Sequence, residues 1–406
     1  MRTRRTTFRL GRQAGGDPRQ GFTLVELLVV ITIIGAIAAL SIPAIGQVLK
    51  IARRSAMKSE MTVIDNGITS YYTKYNDYPP DFSNWNIVKR HYLKIFPDIS
   101  TSELNLLYRF LDDVADDDTT SQMTANPFAN GYDPTAMDRA EALVWSLGGF
   151  SSDPQFPFTG EGGPLALWNT ASPNDPSSYE YNFTRNAPEI DFDPARLTAV
   201  PFDTTAAKSF TNRNRSADFD PGANATDIFP TYVLREDHSP VVYFDARTYV
   251  YNAGTAAAPA YNGFARAASD SVTGFDGVRP VYSNVPGLTP TSGDYGSVPN
   301  ALQGWQFANP KTFQVLAPGL DGFYGELLDV DPTNDPAPGD NPVYYHVNGN
   351  VVQPLTTATN PSGLFRTDVS RFDLTGFTGG VFQRSTNPFR DNMANFIPNT
   401  FEDELE

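Results

Sequence analysis

Gly21-Phe22-Thr23-Leu24-Val25-Glu26 opens the only strongly apolar run in this 406-residue chain, and it sets one acidic residue where hydrocarbon would be expected. From Leu27 to Gly46 every residue is apolar or small except Thr32 and Ser41. At about 1.5 Å rise per residue, that stretch makes a helix roughly 30 Å long, which matches the hydrocarbon core of a bilayer. A carboxylate at the mouth of such a segment is costly, by about 2.5 to 3.5 kcal/mol at mid-membrane and less near the interface. Glu26 therefore needs a partner or a job.

The residues ahead of it suggest the partner. Residues 1–21 hold six Arg and a single Asp, Asp17, with no hydrophobic periodicity, and they read as a cytoplasmic leader. Cutting after Gly21, whose missing side chain gives a peptidase close backbone access, would start the chain at Phe22 with a free amine and make Glu26 the fifth residue. The first turn of a helix is frayed, so its own amine is a poor partner. The Phe22 amine of a neighbouring subunit would neutralise the carboxylate inside a bundle of identical helices and would set their axial register.

These residues resemble the class III signal of type IV pilins, type II secretion pseudopilins and related filament subunits, over about residues 15–80 of what would be a large variant. The resemblance implies cleavage after Gly21, N-methylation of Phe22, and a role for Glu26 in methylation and subunit docking. It also implies that Gly35 and Pro43 are the helix-loosening positions associated with assembly. Proline independently predicts a kink or local melting at Pro43, because it lacks an N–H and clashes with the preceding turn. The implied partners are a prepilin peptidase/methyltransferase, other pilin or pseudopilin subunits, and an inner-membrane assembly platform. The implied location is the inner membrane, single-pass, with the N-terminus cytoplasmic and the C-terminal domain periplasmic or extracellular. Two plainer readings compete. One is an ordinary secretory signal cut near Ala36-Ile37-Ala38, which has no use for Glu26; the other is an uncleaved anchor with Glu26 snorkelling to the interface.

Beyond the apolar run the helical spacing continues through Val48, Ala52, Ala56, Met61, Ile64, Ile68, Tyr71, Tyr72 and Tyr75, and it should end near Tyr78-Pro79-Pro80. The expected organisation is a leader (1–21), a transmembrane helix (22–49), its amphipathic continuation (50–78) and an exported globular domain (79–406). The expected fold class is α+β, a long helix packed on an antiparallel β-sheet with large loop insertions. The formal charge is −16; without the leader's six Arg and one Asp it becomes −21, the wrong sign for binding nucleic acid phosphates. With no cysteine in the chain, disulfides and thiolate sites are excluded.

Within the globular part, Ser100 and Glu103 read as a capping box ahead of a helix that carries Leu104, Leu107, Phe110 and Leu111 and ends in the acidic run Asp112 to Asp118. A second helix is expected from Asp133-Pro134, with Ala136, Ala140, Leu143, Val144 and Leu147 on its apolar face and Gly148-Gly149 closing it. Thr231 to Leu234 should pair with Val241 to Phe244. Tyr344 to Val347 and Asn350 to Val352 should form a hairpin around Asn348-Gly349. Residues 150–225 and 252–310 read as long loops.

Two segments, Phe313 to Gly325 and Arg390 to Phe396, resemble the calcium-enclosing closing loop of the major pseudopilin. That resemblance implies Ca²⁺ ligation by Asp321 and Asp391, although about 65 residues separate the halves where the family has a short loop. The alternative is that Asp321-Gly322 is a turn and Asp391 a helix cap. The cluster Asp329, Asp331, Asn334, Asp335 and Asp340 misfits an EF-hand, since Asn334 stands where the loop needs glycine. His91, His238 and His346 are isolated from any catalytic pattern and are expected at surface or strand positions. No enzyme is indicated, and the competing class is a membrane-anchored exported hydrolase or binding protein.

Overall fold

A computed structural model describes residues 23–110, 137–171, 173, 178–197, 229–235, 238–249, 264–267, 275–286, 305–322, 324, 344–347, 351–354, 365–366, 391–398 and 400–401. The chain divides into two compact units, 1–52 and 53–406. Helix α1, Leu24–Tyr75, supplies the described part of the first unit and the opening helix of the second. It is helical through Gly35 and Pro43, and the kink or local melting expected at Pro43 is a matter of helix geometry that this span does not decide. A single proline removes one ladder bond of many, and the flanking turns hold. The hydroxyls of Thr32 and Ser41 donate to the carbonyls of Val29 and Ile37, each at 2.8 Å, which satisfies them within the helix. Among the described residues, no helical stretch is long and apolar enough to cross a membrane.

In the second unit α1 buries Met57, Met61, Ile64, Ile68 and Tyr71, one stripe at spacings of three and four. The stripe runs along Met57 rather than through Ala52, Ala56 and Tyr72, which the sequence pattern had included and which are exposed. Gly67 lies on the stripe because the chain at Ile190 crosses there: a Cβ at Gly67 would stand 2.5 Å from Ile190 Cγ1. Glu189 then accepts bonds from Ser70 Oγ (2.6 Å) and Lys74 Nζ (3.0 Å) one and two turns on. The helix ends where expected, with Asn76 in the left-handed region (φ 50°) ahead of Pro79-Pro80.

Helix α2, Trp85–Ile95, begins at Asn84, whose side chain accepts from the amides of Asn86 (3.0 Å) and Ile87 (3.4 Å). Helix α3, Thr101–Arg109, begins at Ser100, as its sequence predicted. The capping box is only half made, however. Ser100 Oγ accepts from the Glu103 amide at 3.3 Å, but the Glu103 carboxylate turns inward and accepts from the Phe158 amide (2.7 Å) and the Thr159 hydroxyl (2.7 Å). Three hydrogen bonds to a distant loop outcompete one bond to its own cap.

Helix α4, Glu141–Leu147, is shorter than expected, and residues 133–136 lie outside the described residues. It starts at its own reciprocal cap: Asp138 Oδ1 accepts from the Ala140 (2.7 Å) and Glu141 (2.9 Å) amides, while Glu141 Oε2 accepts from the Asp138 amide (3.0 Å). All seven residues are buried, so the helix has no solvent face. The Arg185 guanidinium closes the other end, donating to the carbonyls of Trp145 (2.6 Å), Gly149 (2.9 Å) and Val144 (3.2 Å). Gly149 (φ +95°) admits the passing chain, because a Cβ there would come within 2.1 Å of Asn186 O.

The strands are β1 (Leu165–Leu167), β2 (Tyr179–Tyr181), β3 (Val242–Asp245), β4 (Phe264–Ala267), β5 (Phe275–Val278), β6 (Tyr282–Asn284), β7 (Trp305–Phe307), β8 (Phe313–Ala317), β9 (Tyr344–Tyr345), β10 (Val351–Pro354), β11 (Phe365–Arg366) and β12 (Met393–Ala394). They form five small sheets with orders β1-β2, β12-β8-β3, β4-β5, β6-β7 and β11-β10-β9. The architecture is α+β, as expected, with several small antiparallel sheets among the described residues instead of one. The β9-β10 hairpin forms in register Tyr344↔Val352, and its turn residues lie outside the described residues. The other expected pair does not form a ladder. Tyr232 bridges Leu197 and offers β3's neighbour Val241 one backbone bond (2.8 Å), while β3 pairs with β8. The segments expected to be loops contain β1, β2 and β4 to β7, strands of three or four residues too short to show a period amid Pro, Gly, Asn, Ser and Thr.

The sheet β12-β8-β3 separates two cores. Tyr243, Phe313, Val315, Ala317 and Met393 face an aromatic core built around Trp145, Tyr92 and Phe158. Val242, Phe244, Leu316 and Ala394 face a smaller one. Burial on both faces explains why β3 and β8 read as continuous apolar runs rather than alternating ones. Of the two polar residues in these strands, Asp245 and Gln314, Gln314 is wholly buried and pairs like a strand edge: its Oε1 accepts from the Val281 amide (2.7 Å), and its Nε2 donates to the Val281 (3.0 Å) and Ala308 (2.7 Å) carbonyls.

Candidate processing and assembly site

Glu26 does find a partner inside its own chain. The Thr23 amide and hydroxyl both donate to Glu26 Oε2 at 2.8 Å, and Thr23 Oγ1 accepts from the Glu26 amide at 3.2 Å. This is a reciprocal capping box at the first turn of α1, a Thr-x-x-Glu pattern legible in the sequence that the reading of Glu26 as a docking acid passed over. It satisfies end groups that would otherwise be bare, which matters most where water is scarce. A carboxylate has about four lone-pair positions, so a box that uses Oε2 leaves acceptor capacity for a further donor. Gly21 and Phe22 lie outside the described residues.

Around this acid the first unit exposes its apolar surface. Leu24, Val25, Ile31, Ile34 and Ile37 stand 58 to 79 % accessible, and a Cβ at Gly35 would meet nothing within 4 Å. A contiguous apolar surface on this scale marks contact with lipid or with other chains. The side chain of Pro43 lies outside the described residues.

The two halves of the sequence that resemble a closing loop come together despite their separation. Strand β12 pairs with β8, Met393 opposite Ala317 and Ala394 opposite Leu316, and Asp391 Oδ2 accepts from the Asp321 amide at 3.3 Å. The turn between Gly319 and Gly322 (3.2 Å, Gly322 φ +84°) presses so closely on Asp391 that a Cβ at Gly319 would lie 2.1 Å from its carboxyl carbon. Asp321 is thus a turn residue that meets Asp391 through its backbone. Among the described residues, no group of three or more His, Cys, Asp or Glu is placed to hold a metal ion. The Asp329 to Asp340 cluster lies outside the described residues.

The same closing segment is tied to α1. Lys58 Nζ donates to the carbonyls of Ala394 (2.6 Å) and Ile397, and Asn395 Nδ2 donates to Asp65 (2.8 Å) while its Oδ1 accepts from the Val315 amide (3.0 Å). One asparagine therefore joins helix, sheet and closing loop.

A second cluster has the parts of an acid–base relay. All three histidines are buried, contrary to the surface positions expected, although His346 does sit in a strand bridge to Tyr282. His91 Nε2 lies 2.7 Å from Tyr71 Oη, and its Nδ1 lies 3.1 Å from Asp77, which also meets Arg247 at 3.0 Å. Burial pushes His91 below its ordinary value against the pull of Asp77, leaving a neutral ring that donates from Nδ1 and accepts the Tyr71 proton at Nε2. Burial works against ionised Asp77 as well, but the bonds from His91 and Arg247 hold it at about 2. Asp245 is buried beside Arg247 and is pushed up to about 6. The Tyr71 hydroxyl is enclosed, with burial raising its pKa, so the relay works as a clamp between α1, the turn at Asp77 and α2. Alongside it Asp81 pairs with Arg139 at 3.0 Å, both about 1 % exposed, and Tyr243 donates to the Pro79 carbonyl at 2.8 Å.

Comparison with known proteins adds one match at the other end of the chain. No curated protein and no solved structure matches. Residues 17–42 match the family model described as the prokaryotic N-terminal methylation motif, a span that encloses Gly21, Phe22, Thr23, Glu26 and Gly35; the chain carries a class III prepilin-like signal, the mark of a type IV pilin- or pseudopilin-like processed protein.

Proposed function

We propose that the chain is cut after Gly21, N-methylated on Phe22, and assembled as a structural subunit of a type II secretion pseudopilus or of a type IV pilus-like filament. The observation that carries this reading is Glu26: an acid inside the methylation motif, at the head of an exposed apolar helix, its carboxylate accepting, among the described residues, from Thr23. In the single chain the capping box holds the acid. In the filament the charged Phe22 amine of a neighbouring copy is the stronger donor, and an ion pair formed away from water fixes register along the bundle. Before assembly the subunit is a single-pass inner-membrane protein. The support for this is the amino-acid sequence from Leu27 to Gly46, which includes side chains outside the described residues, and not the described helix, which is not long and apolar enough to span a membrane.

Prepilin peptidase, neighbouring pilin or pseudopilin subunits and the inner-membrane assembly platform are the partners of this reading. Its test is mass analysis of the N-terminus of membrane-extracted protein. A methylated Phe22 start is expected, and Glu26→Ala should abolish incorporation into filaments while leaving the melting of residues 53–406 unchanged. An intact Met1 terminus in cells with an active prepilin peptidase refutes it.

Calcium at Asp321 and Asp391 belongs to the same proposal, with the approach of those two residues as its support. The further oxygens that Ca²⁺ needs would come from backbone carbonyls and from residues outside those described. A thermal melt with and without chelator checks it: a bound ion raises the midpoint, and no shift leaves Asp321 as a turn residue.

A further inference from the structure

Helix α2 turns one face inward through Val88, His91 and Tyr92 and presents Lys89, Arg90, Leu93 and Lys94 to solvent, Leu93 40 % exposed. Residues 89, 90 and 93 share one side of the helix, with Lys94 beside them, so an apolar centre is rimmed by three cations. Among the described residues neither Lys89 nor Arg90 forms an ion pair, and Lys94 donates to the Asn76 carbonyl (2.6 Å). In a chain of net charge −16 a basic face whose Lys89 and Arg90 form no ion pair among the described residues stands out, because almost any other copy's surface attracts it. The sequence also contains its complement: Leu111 to Asp118 sets Val114 and Ala115 among five aspartates.

We propose that the outer face of α2 is a docking surface for the acidic segment Leu111 to Asp118 of a second copy of this chain. The proposal rests on the filament reading. A filament grows through heterologous contacts, in which one patch of a copy meets a different part of the next, and a basic helix face with an acidic stretch of sequence on the same chain suits that geometry. Leu93 supplies the apolar centre against Val114, and the cations meet the aspartates around it.

The chain contains no cysteine, so the contact can be read by engineered disulfides in the full-length protein in cells. Co-expression of Leu93→Cys with Val114→Cys should give a cross-linked dimer that neither variant gives alone. Lys89→Glu with Arg90→Glu should cut its yield by about tenfold, and reversing Asp112, Asp113 and Asp116 to Lys in the other copy should restore it. The same samples are analysed for the N-terminus. A dimer in protein carrying the processed Phe22 end supports the proposal, whereas an intact Met1 end refutes the filament reading itself. In processed protein, a cross-link formed only within one chain carrying both cysteines overturns the proposal. So does the absence of any cross-link, including the case in which Lys89→Glu/Arg90→Glu weakens binding to anionic vesicles and assigns the face to lipid.

Discussion

The two ends of α1 carry the same kinds of side chain in opposite surroundings. Ile33 and Ile37 stand 54 and 60 % exposed, whereas Ile64 and Ile68 are 2 and 0 % exposed. Isoleucine has no intrinsic address. At the far end, spacings of three and four meet a sheet and a neighbouring helix, and the core closes over them. At the near end the apolar residues surround the helix on all sides, which no single packed face could bury, so their cover has to come from outside the described residues. Glu26 belongs to the near end, where Thr23 caps it.

Substitutions at matched positions test the contrast. Ile68→Ala should lower the stability of residues 53–406 by about 2 to 5 kcal/mol, read by chemical denaturation, since it empties a fully buried site. Ile33→Ala should leave that stability unchanged and act only on membrane retention or assembly. Equal losses in both variants would erase the distinction between the two ends.

Glycines give a gentler version. Gly67→Ala forces a Cβ to within 2.5 Å of Ile190 Cγ1 and should cost about 1 to 3 kcal/mol, despite alanine's better helix propensity. Gly35→Ala meets nothing within 4 Å and should not move the melting of the second unit. A stabilised Gly67→Ala would mean that the crossing at Ile190 is looser than described.

The smallest effect is a pH dependence. Folded His91 binds its proton more weakly than its ordinary value of 6.5, with burial outweighing the bond to Asp77, so the unfolded chain takes up a proton first as pH falls. The stability this provides is present above about 6.5 and is lost on acidification. Asp245, raised to about 6, acts in the opposite sense, losing stability as pH rises from its ordinary 3.8 through 6. The contribution of His91 is therefore isolated by difference. Relative to His91→Gln, the wild-type midpoint should fall more between pH 7.5 and about 6. Parallel curves would show that the ring titrates normally. Below pH 4 the wild type should weaken further as Asp77, held at about 2, is protonated.

Much of the helical architecture was legible because its signals are local. The apolar stripe through Met61, Ile64, Ile68 and Tyr71 follows from periodicity, the end at Tyr75 from the prolines beyond it, and the start of α3 from Ser100. Glu103 was half legible: its spacing from Ser100 predicted a reciprocal cap, but residues 158 and 159 claimed the carboxylate. Gly67 carried no local signal, since a helical glycine reads as a flaw until the chain that crosses it is known.

The sequence alone determined the prepilin-like signal, with a glycine ahead of Phe22, an acid and a long apolar run, because each depends on side-chain chemistry at fixed short spacing. It also excluded thiol chemistry, because the chain contains no cysteine, and the sign of its net charge set the expectation that nucleic acid is not a partner. Only the tertiary structure decided that β12 closes on β8 across a long excursion, that Asn395 joins Asp65 to Val315, and that Tyr71, His91 and Asp77 form a clamp. Those pairings join residues that are far apart in the chain or brought together by its turns, and closing them costs entropy that only the whole core repays.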